Sequence, residues 1–238
     1  MLFAGRKIVF VHVPKTAGNY VTAQLLPYSD DKMVLSGHQD GKERFEVTGP
    51  VTRAKHQTVP QYVQALGDSA ADYRFFATYR PPVERMLSFY FSPHRWMVRT
   101  PDGTFQHKPV TTLRFDLGEF EDFIVQQASF SEVLDMDQTE PVQGNPLFRR
   151  HTSGALVHVL RYRNLQADLV QLSDACGLDQ FEWASERRNV SQVDKQTFLD
   201  ENALLAVERT VMSSRHARDI EYGFEDCPRQ AQSHRVTQ

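Results

Sequence analysis

The sequence predicts an α/β protein with a mainly parallel central sheet and helices on both of its faces. Two observations carry that expectation. Short apolar runs rich in β-branched and aromatic residues alternate along the chain with stretches at helical spacing, and the alternation continues from end to end. No internal repeat or low-complexity segment interrupts it. The chain has 238 residues, a length suited to one domain spanning 1–238, and long enough to hide roughly 70% of its unfolded surface.

Taken in order, Lys7 to Val13 reads as a first strand. Its apolar run Ile8-Val9-Phe10-Val11 is preceded by Arg6-Lys7 and ended by Pro14-Lys15. It is too short for a membrane span and has no small-residue cleavage site, so a buried strand and a cytoplasmic location are expected. Asn19 to Leu26 reads as a helix after a tight loop, and Met33 to Ser36 as a short strand. Val59 to Leu66 is a helix stopped near Gly67, and Arg74 to Tyr79 a second core strand. From Pro82 a helix carries Val83, Met86, Leu87, Tyr90 and Phe91 at helical spacing, with Arg85 and Ser88 placed on its polar side. Ala155 to Tyr162 is the third strand. Asn164 is placed to cap the next helix, whose stripe is Leu165, Leu169, Leu172 and Cys176 and which Gly177 stops. A long helix from Asn202 to Asp219 closes the chain, with Leu204, Val207 and Val211 inward.

Composition narrows the function classes. Hydrophobic residues at 40% and charged residues at 24% describe an ordinary globular protein. The net charge of −3 excludes a generic polybasic nucleic-acid or membrane binder, though not a local basic patch. Two cysteines, Cys176 and Cys227, cannot build a disulfide framework. The acidic stretch from Asp116 to Glu140 reads as a solvated helix and loop.

Two motifs carry chemistry. In His12-Val13-Pro14-Lys15-Thr16-Ala17-Gly18-Asn19 a strand runs into a short loop and opens a helix. A helix N-terminus offers unpaired N–H groups to an anion, Lys15 adds a point charge, Thr16 a hydroxyl, and Gly18 allows close backbone approach. The spacing is not that of a Walker A loop. In Tyr79-Arg80-Pro81-Pro82-Val83-Glu84-Arg85-Met86-Leu87-Ser88-Phe89-Tyr90 a second strand ends in a charge and a helix begins. Arg80 falls at the carboxyl end of a strand, where open α/β sheets bind ligands, and with Ser88 it offers a planar fork and a hydroxyl.

Together these motifs resemble the sulfotransferases that use 3′-phosphoadenosine 5′-phosphosulfate (PAPS), most closely the branch of heparan sulfate 2-O-sulfotransferase and related carbohydrate sulfotransferases. That family carries an H-x-P-K-T/S-x-x-T/S loop for the 5′-phosphosulfate and R-D-P-x-x-R-x-x-S-x-Y for the 3′-phosphate. Weaker likeness continues through Leu35-Ser36-Gly37-His38, Leu160-Arg161-Tyr162-Arg163-Asn164-Leu165 and Asp219-Ile220-Glu221-Tyr222-Gly223-Phe224. The chain departs from the pattern at Asn19, at Pro81 and at Arg161, where the family has a hydroxyl residue, an aspartate and often a glutamate.

The resemblance implies a P-loop-like three-layer sandwich and an O-sulfotransferase with PAPS as donor and a hydroxyl acceptor, expected to be a glycan. It implies that Pro14, Lys15, Thr16, Ala17, Gly18 and Asn19 hold the 5′-phosphosulfate, with Lys15 neutralising the leaving phosphate, and that Arg80 and Ser88 hold the 3′-phosphate. Arg85 is a supporting residue in that scheme. His38 is the implied general base, a role that suits a side chain titrating near neutrality. His12 is expected to be buried and structural. His94, His107, His151 and His158 lack paired-ligand spacing, and no metal is expected. Arg149 and Arg150 are expected on a loop before the third strand, and with Arg95 and Arg99 they would argue for an anionic acceptor if they converged beside the cleft. A nucleotide-dependent kinase on a related fold and a non-catalytic nucleotide- or glycan-binding module remain open alternatives. No nucleic-acid partner and no membrane-spanning segment are expected.

Overall fold

The computed structural model describes residues 1–36, 44–92, 97–103, 105–108, 114–176, 198–222 and 224. His38, Arg95, Gly177 and Cys227 lie outside these residues.

The chain begins with β1 (Leu2–Phe3), which turns back antiparallel onto β2 (Ile8–Phe10). A loop leads to α1 (Gly18–Leu25) and then to a two-stranded ribbon, β3 (Lys32–Ser36) with β4 (Arg44–Thr48). The next helix, α2 (Val59–Leu66), starts where the Gln61 side chain accepts the Thr58 N–H at 2.8 Å, with Pro60 in its first turn. It stops at Gly67, whose φ of 56° favours glycine. Then come β5 (Arg74–Tyr79), α3 (Pro82–Tyr90) and a second ribbon, β6 (Met97–Arg99) with β7 (Phe105–His107). Two short helices follow, α4 (Leu117–Ile124) and α5 (Phe130–Leu134), then the hairpin of β8 (Thr139–Val142) and β9 (Asn145–His151). The described chain ends with β10 (Leu156–Arg161), α6 (Leu165–Cys176), α7 (Glu201–Met212) and α8 (Arg218–Glu221).

Six strands form the central sheet in the order β1-β2-β5-β10-β9-β8. The three core strands β2, β5 and β10 pair in parallel, and antiparallel strands extend the sheet at both edges. Four strands therefore point the same way, although just two of the five ladders are parallel. Alternate residues of the core strands face opposite sides. Val9, Phe75, Val157 and Val159 pack under α2 and α5, while Ile8, Phe10, Phe76 and Leu160 pack under α1 and α6. Helices thus cover both faces. A third cluster joins α3, α4 and α7 through Met86, Tyr90, Phe120, Ile124, Val207 and Val211. No described helix is long and apolar enough to cross a membrane.

The structure corrects four sequence expectations. Arg149 and Arg150 are not on a loop: they belong to β9, one strand of a hairpin that the sequence reading missed. The long closing helix is broken at Met212, because Ser213 and Ser214 turn their hydroxyls back onto the carbonyls of Arg209 and Val211. Within that helix Leu204 is exposed, while Val207 and Val211 are buried. The acidic stretch is solvated on one side only. Its Asp116 and Glu132 tie off helix N-termini, and Phe120, Ile124, Phe130 and Leu134 enter the core.

The closing Asp219-to-Phe224 segment has a structural task. The Asp219 carboxylate is buried and accepts the N–H groups of Phe130 at 3.0 Å and Ser131 at 2.9 Å, capping α5. Phe224 packs its ring against Tyr79 and Phe130.

One core residue makes the fold acid-labile. His158, on β10, is buried, stacks on Phe148 at 3.9 Å, and has no hydrogen-bond partner for either ring nitrogen among the described residues. Burial, reinforced by nearby Arg74, pushes its pKa down to about 4. The folded chain therefore binds this proton less readily than the unfolded chain, whose histidine titrates near ~6.5. The contribution of neutral His158 is complete above that value, falls as pH drops from 6.5 towards 4, and is constant below. At pH 5 the loss from His158 is about 2 kcal/mol. Denaturant titrations at pH 7 and pH 5 check it: His158→Phe is expected to shrink the gap between the two pH values, and an unchanged gap would refute the assignment.

Candidate functional site

Because β2, β5 and β10 are parallel, their carboxyl ends open on the same edge of the sheet. Both chemistry-bearing motifs begin there. After Val13 the chain turns through Pro14, Lys15, Thr16 and Ala17 before α1 starts. Lys15 and Ala17 have φ of 68° and 73°, left-handed values uncommon outside glycine, and Thr16 between them does not. Alternation of this kind turns successive N–H groups towards one concavity, a shape that suits an anion.

The side chains of the loop divide between inside and outside. Thr16 is buried and its hydroxyl donates to the Val13 carbonyl at 2.9 Å, so it closes the turn from within. Half-buried Lys15 extends its ammonium to the Ser92 hydroxyl at 3.3 Å. Asn19 is half-buried in the first turn of α1. Gly18 is required by the protein itself: a Cβ there would lie 2.0 Å from the His12 ring. The sequence had suggested close approach to a ligand at this glycine; the close approach seen is to His12. His12 is buried as expected, its Nδ1 3.4 Å from the Thr22 hydroxyl, and burial first, then neighbouring His56, holds its pKa well below the usual histidine range.

The second motif meets the first directly. Arg80, just past β5, donates from Nη1 to the Lys15 carbonyl at 3.3 Å. Its guanidinium lies 4.4 Å from the Tyr162 ring and 3.5 Å from the Glu84 carboxylate. Glu84 also pairs with Arg163. Ser88 is half-buried on α3, one turn beyond Glu84 on the same helix face, and Ser92 follows just past the end of the helix. Arg161, one of the departures from the family pattern, forks onto buried Asp168 at 3.1 and 2.7 Å, so it braces β10 against α6.

Arg85 is the main correction at the site. Its guanidinium is fully buried instead of facing solvent. Nε donates to the Pro14 carbonyl at 3.1 Å and Nη2 to the Ala128 carbonyl at 3.0 Å. Burial lowers its pKa to about 10, so it remains charged at neutral pH, with Asp219 opposing the shift. Arg85 thus holds the loop from beneath, in the supporting place the sequence allowed for it.

The sequence reading missed His56. Its Nδ1 lies 2.9 Å from the His12 carbonyl and its ring stands edge-on to that of His12, 4.8 Å between centroids. Desolvation by the surrounding chain lowers its pKa and the bond to His12 pulls the other way. With Nδ1–H donating to the carbonyl, the neutral ring presents Nε2 as a base. A histidine at the approach to a capped helix, between the two chemistry-bearing motifs in the chain, was the available signal. The anionic-acceptor argument fails for two of its arginines. Arg149 is buried and bonded to Thr139, under burial that lowers its pKa, and Arg150 lies at the other edge of the sheet.

What converges at this edge is a left-handed loop, two cations and the Ser92 hydroxyl, an arrangement able to hold a phosphorylated ligand. Comparison with known protein families, with curated proteins and with solved structures finds no match to this chain.

Proposed function

We propose that this chain is a PAPS-dependent O-sulfotransferase on a P-loop-like α/β fold, acting on a carbohydrate hydroxyl. One observation carries the reading: two motifs 65 residues apart meet through Arg80 and the Lys15 carbonyl at the carboxyl edge of the sheet. The chemistry of the donor set fits PAPS, which needs cations for two separated phosphate groups. Lys15 and the N–H groups of Thr16 to Asn19 would hold the 5′ end, and Arg80 with Ser88 the 3′-phosphate. Bound there, PAPS supplies an activated sulfuryl group.

The residues of the chain do the rest. Lys15, steered by Ser92, offsets negative charge on the 5′ side. Arg85 keeps the loop in its left-handed form by anchoring Pro14. A histidine takes the acceptor proton; the resemblance assigns this to His38, and the His12-anchored ring of His56 is the base that the described geometry favours. With the affinity for 3′-phosphoadenosine 5′-phosphate (PAP, the desulfated product) held constant, replacing the true base by alanine should cut turnover about 10²–10⁴-fold. Equal, undiminished turnover in His38→Ala and His56→Ala would exclude both.

The experiment that tests the function is thermal stabilisation by PAP against ATP with magnesium. At a hundredfold its dissociation constant a ligand adds about 2.7 kcal/mol of apparent stability. Stabilisation by ATP–magnesium alone would favour the kinase alternative, and PAP binding without sulfuryl transfer to any carbohydrate the binding module. Arg80→Ala should weaken PAP more than adenosine 5′-phosphosulfate, by about 1.5–3 kcal/mol, because PAP alone carries the 3′-phosphate. Equal weakening of both would make Arg80 a purely structural partner of Glu84 and Tyr162.

A further inference from the structure

The amino edge of the same sheet holds a second concentration of positive charge. Ile8, Arg74, Leu156 and Arg150 are successive partners across β2, β5, β10 and β9, so they form one row where the parallel strands begin. Side chains in such a row share a face. Arg6 and Lys7 enter β2 at the end of this row. The row and the chain around it border an open pocket of about 280 Å³ lined by Arg6, Lys7, Arg74 and Arg150, with Asp72 its one carboxylate. Four cations against one acid leave a formal lining charge of +3, in a chain whose net charge is −3.

Three of the cations touch neutral groups. Lys7 lies over the Tyr73 ring at 5.0 Å, Arg74 over Phe148 at 6.0 Å, and Arg150 donates to the Gly154 carbonyl at 3.1 Å. Gly154, with φ of 89°, brings the β9–β10 turn close to Ala71: an added Cβ would stand 3.0 Å from the Ala71 Cβ. That turn forms one wall of the cavity. Like charges gathered in this way repel one another, and a bound anion relieves the repulsion.

The geometry points to an anion-binding site at the amino edge, distinct from the Lys15–Arg80 site, that takes a small ligand carrying two or more tetrahedral oxyanion groups. Three of the four cations are arginines, whose planar forks grip phosphate and sulfate oxygens in pairs. Four cationic side chains along one pocket suit more than one oxyanion group, and a volume of about 280 Å³ has room for a molecule of disaccharide or diphosphate size. The inference does not depend on the sulfotransferase reading, since no residue of one edge belongs to the other.

The test is calorimetric titration of the full chain at constant ionic strength. The background is Lys15→Ala/Arg80→Ala, which removes both competing cations at the carboxyl edge. Inorganic pyrophosphate and a trisulfated disaccharide are the two probes, with an unsulfated disaccharide as control. Binding of at least one anionic probe is expected, weakened about tenfold or more by Arg150→Glu and also by Arg6→Glu. The probe that binds tells a phosphorylated ligand from a sulfated one. Arg6 is an exposed residue, so the second variant stands even where the first disturbs the β9–β10 turn. No binding of either probe, or binding that both charge reversals leave unchanged, overturns the site.

Discussion

Lys15→Ala is expected to lower sulfuryl transfer about 10²–10³-fold, the scale of losing one preorganised electrostatic group. The ammonium is positioned by the Ser92 hydroxyl and stands on a left-handed backbone that the rest of the fold maintains. On the proposed mechanism its removal takes charge away from where the leaving group develops it, and the loop position means that it opens no cavity in the core. The thermal midpoint should therefore stay within a few degrees of the parent. Turnover from PAPS, measured together with PAP affinity, checks the assignment: kcat should fall more than affinity. A folded variant with unchanged turnover would remove Lys15 from the chemistry.

Arg85→Ala is expected to show the reverse pattern, a large loss of stability of about 3–5 kcal/mol. Truncation empties a fully buried volume and strips donors from the carbonyls of Pro14 and Ala128. Lysine should not rescue it, because a point charge on a flexible stem cannot reach both carbonyls as the guanidinium fork does. Denaturant unfolding of Arg85→Ala and Arg85→Lys measures this. Near-parental stability in either would mean that the loop is held by something else.

These two residues mark the boundary of what the sequence could disclose. Elements with local signals were legible. The strand Arg74–Tyr79 and the helix Val59–Leu66 occur at the predicted residues, because apolar runs, a capping threonine, an early proline and a stopping glycine are all local. The β8–β9 hairpin was not, since its strands carry Pro141, Arg149 and Arg150 and make no continuous apolar run. Arg85 was assigned to solvent by helical periodicity, and its burial depends on carbonyls 71 and 43 residues away. Gly18 was read as leaving room for a ligand, and its need to make room for His12 was not legible, because that ring arrives from before the loop. His56 carries meaning through one bond to a carbonyl 44 residues distant.

The capping of α5 by Asp219 has a consequence for biosynthesis. The Ser131 N–H must wait for a carboxylate 88 residues downstream. A ribosome adding roughly 5–20 residues per second leaves a gap of about 4–18 s between the two emerging. During that interval the Ser129–Glu132 capping box can form, but the N–H groups of Phe130 and Ser131 lack their acceptor and Arg85 lacks one of the two carboxylates that favour its charged form. The nascent chain can pair β2 with β5 early, but the loop that Arg85 anchors matures late. Chains stalled before residue 219 should accordingly be captured by chaperones with most of the sheet formed and the Lys15 loop still unset.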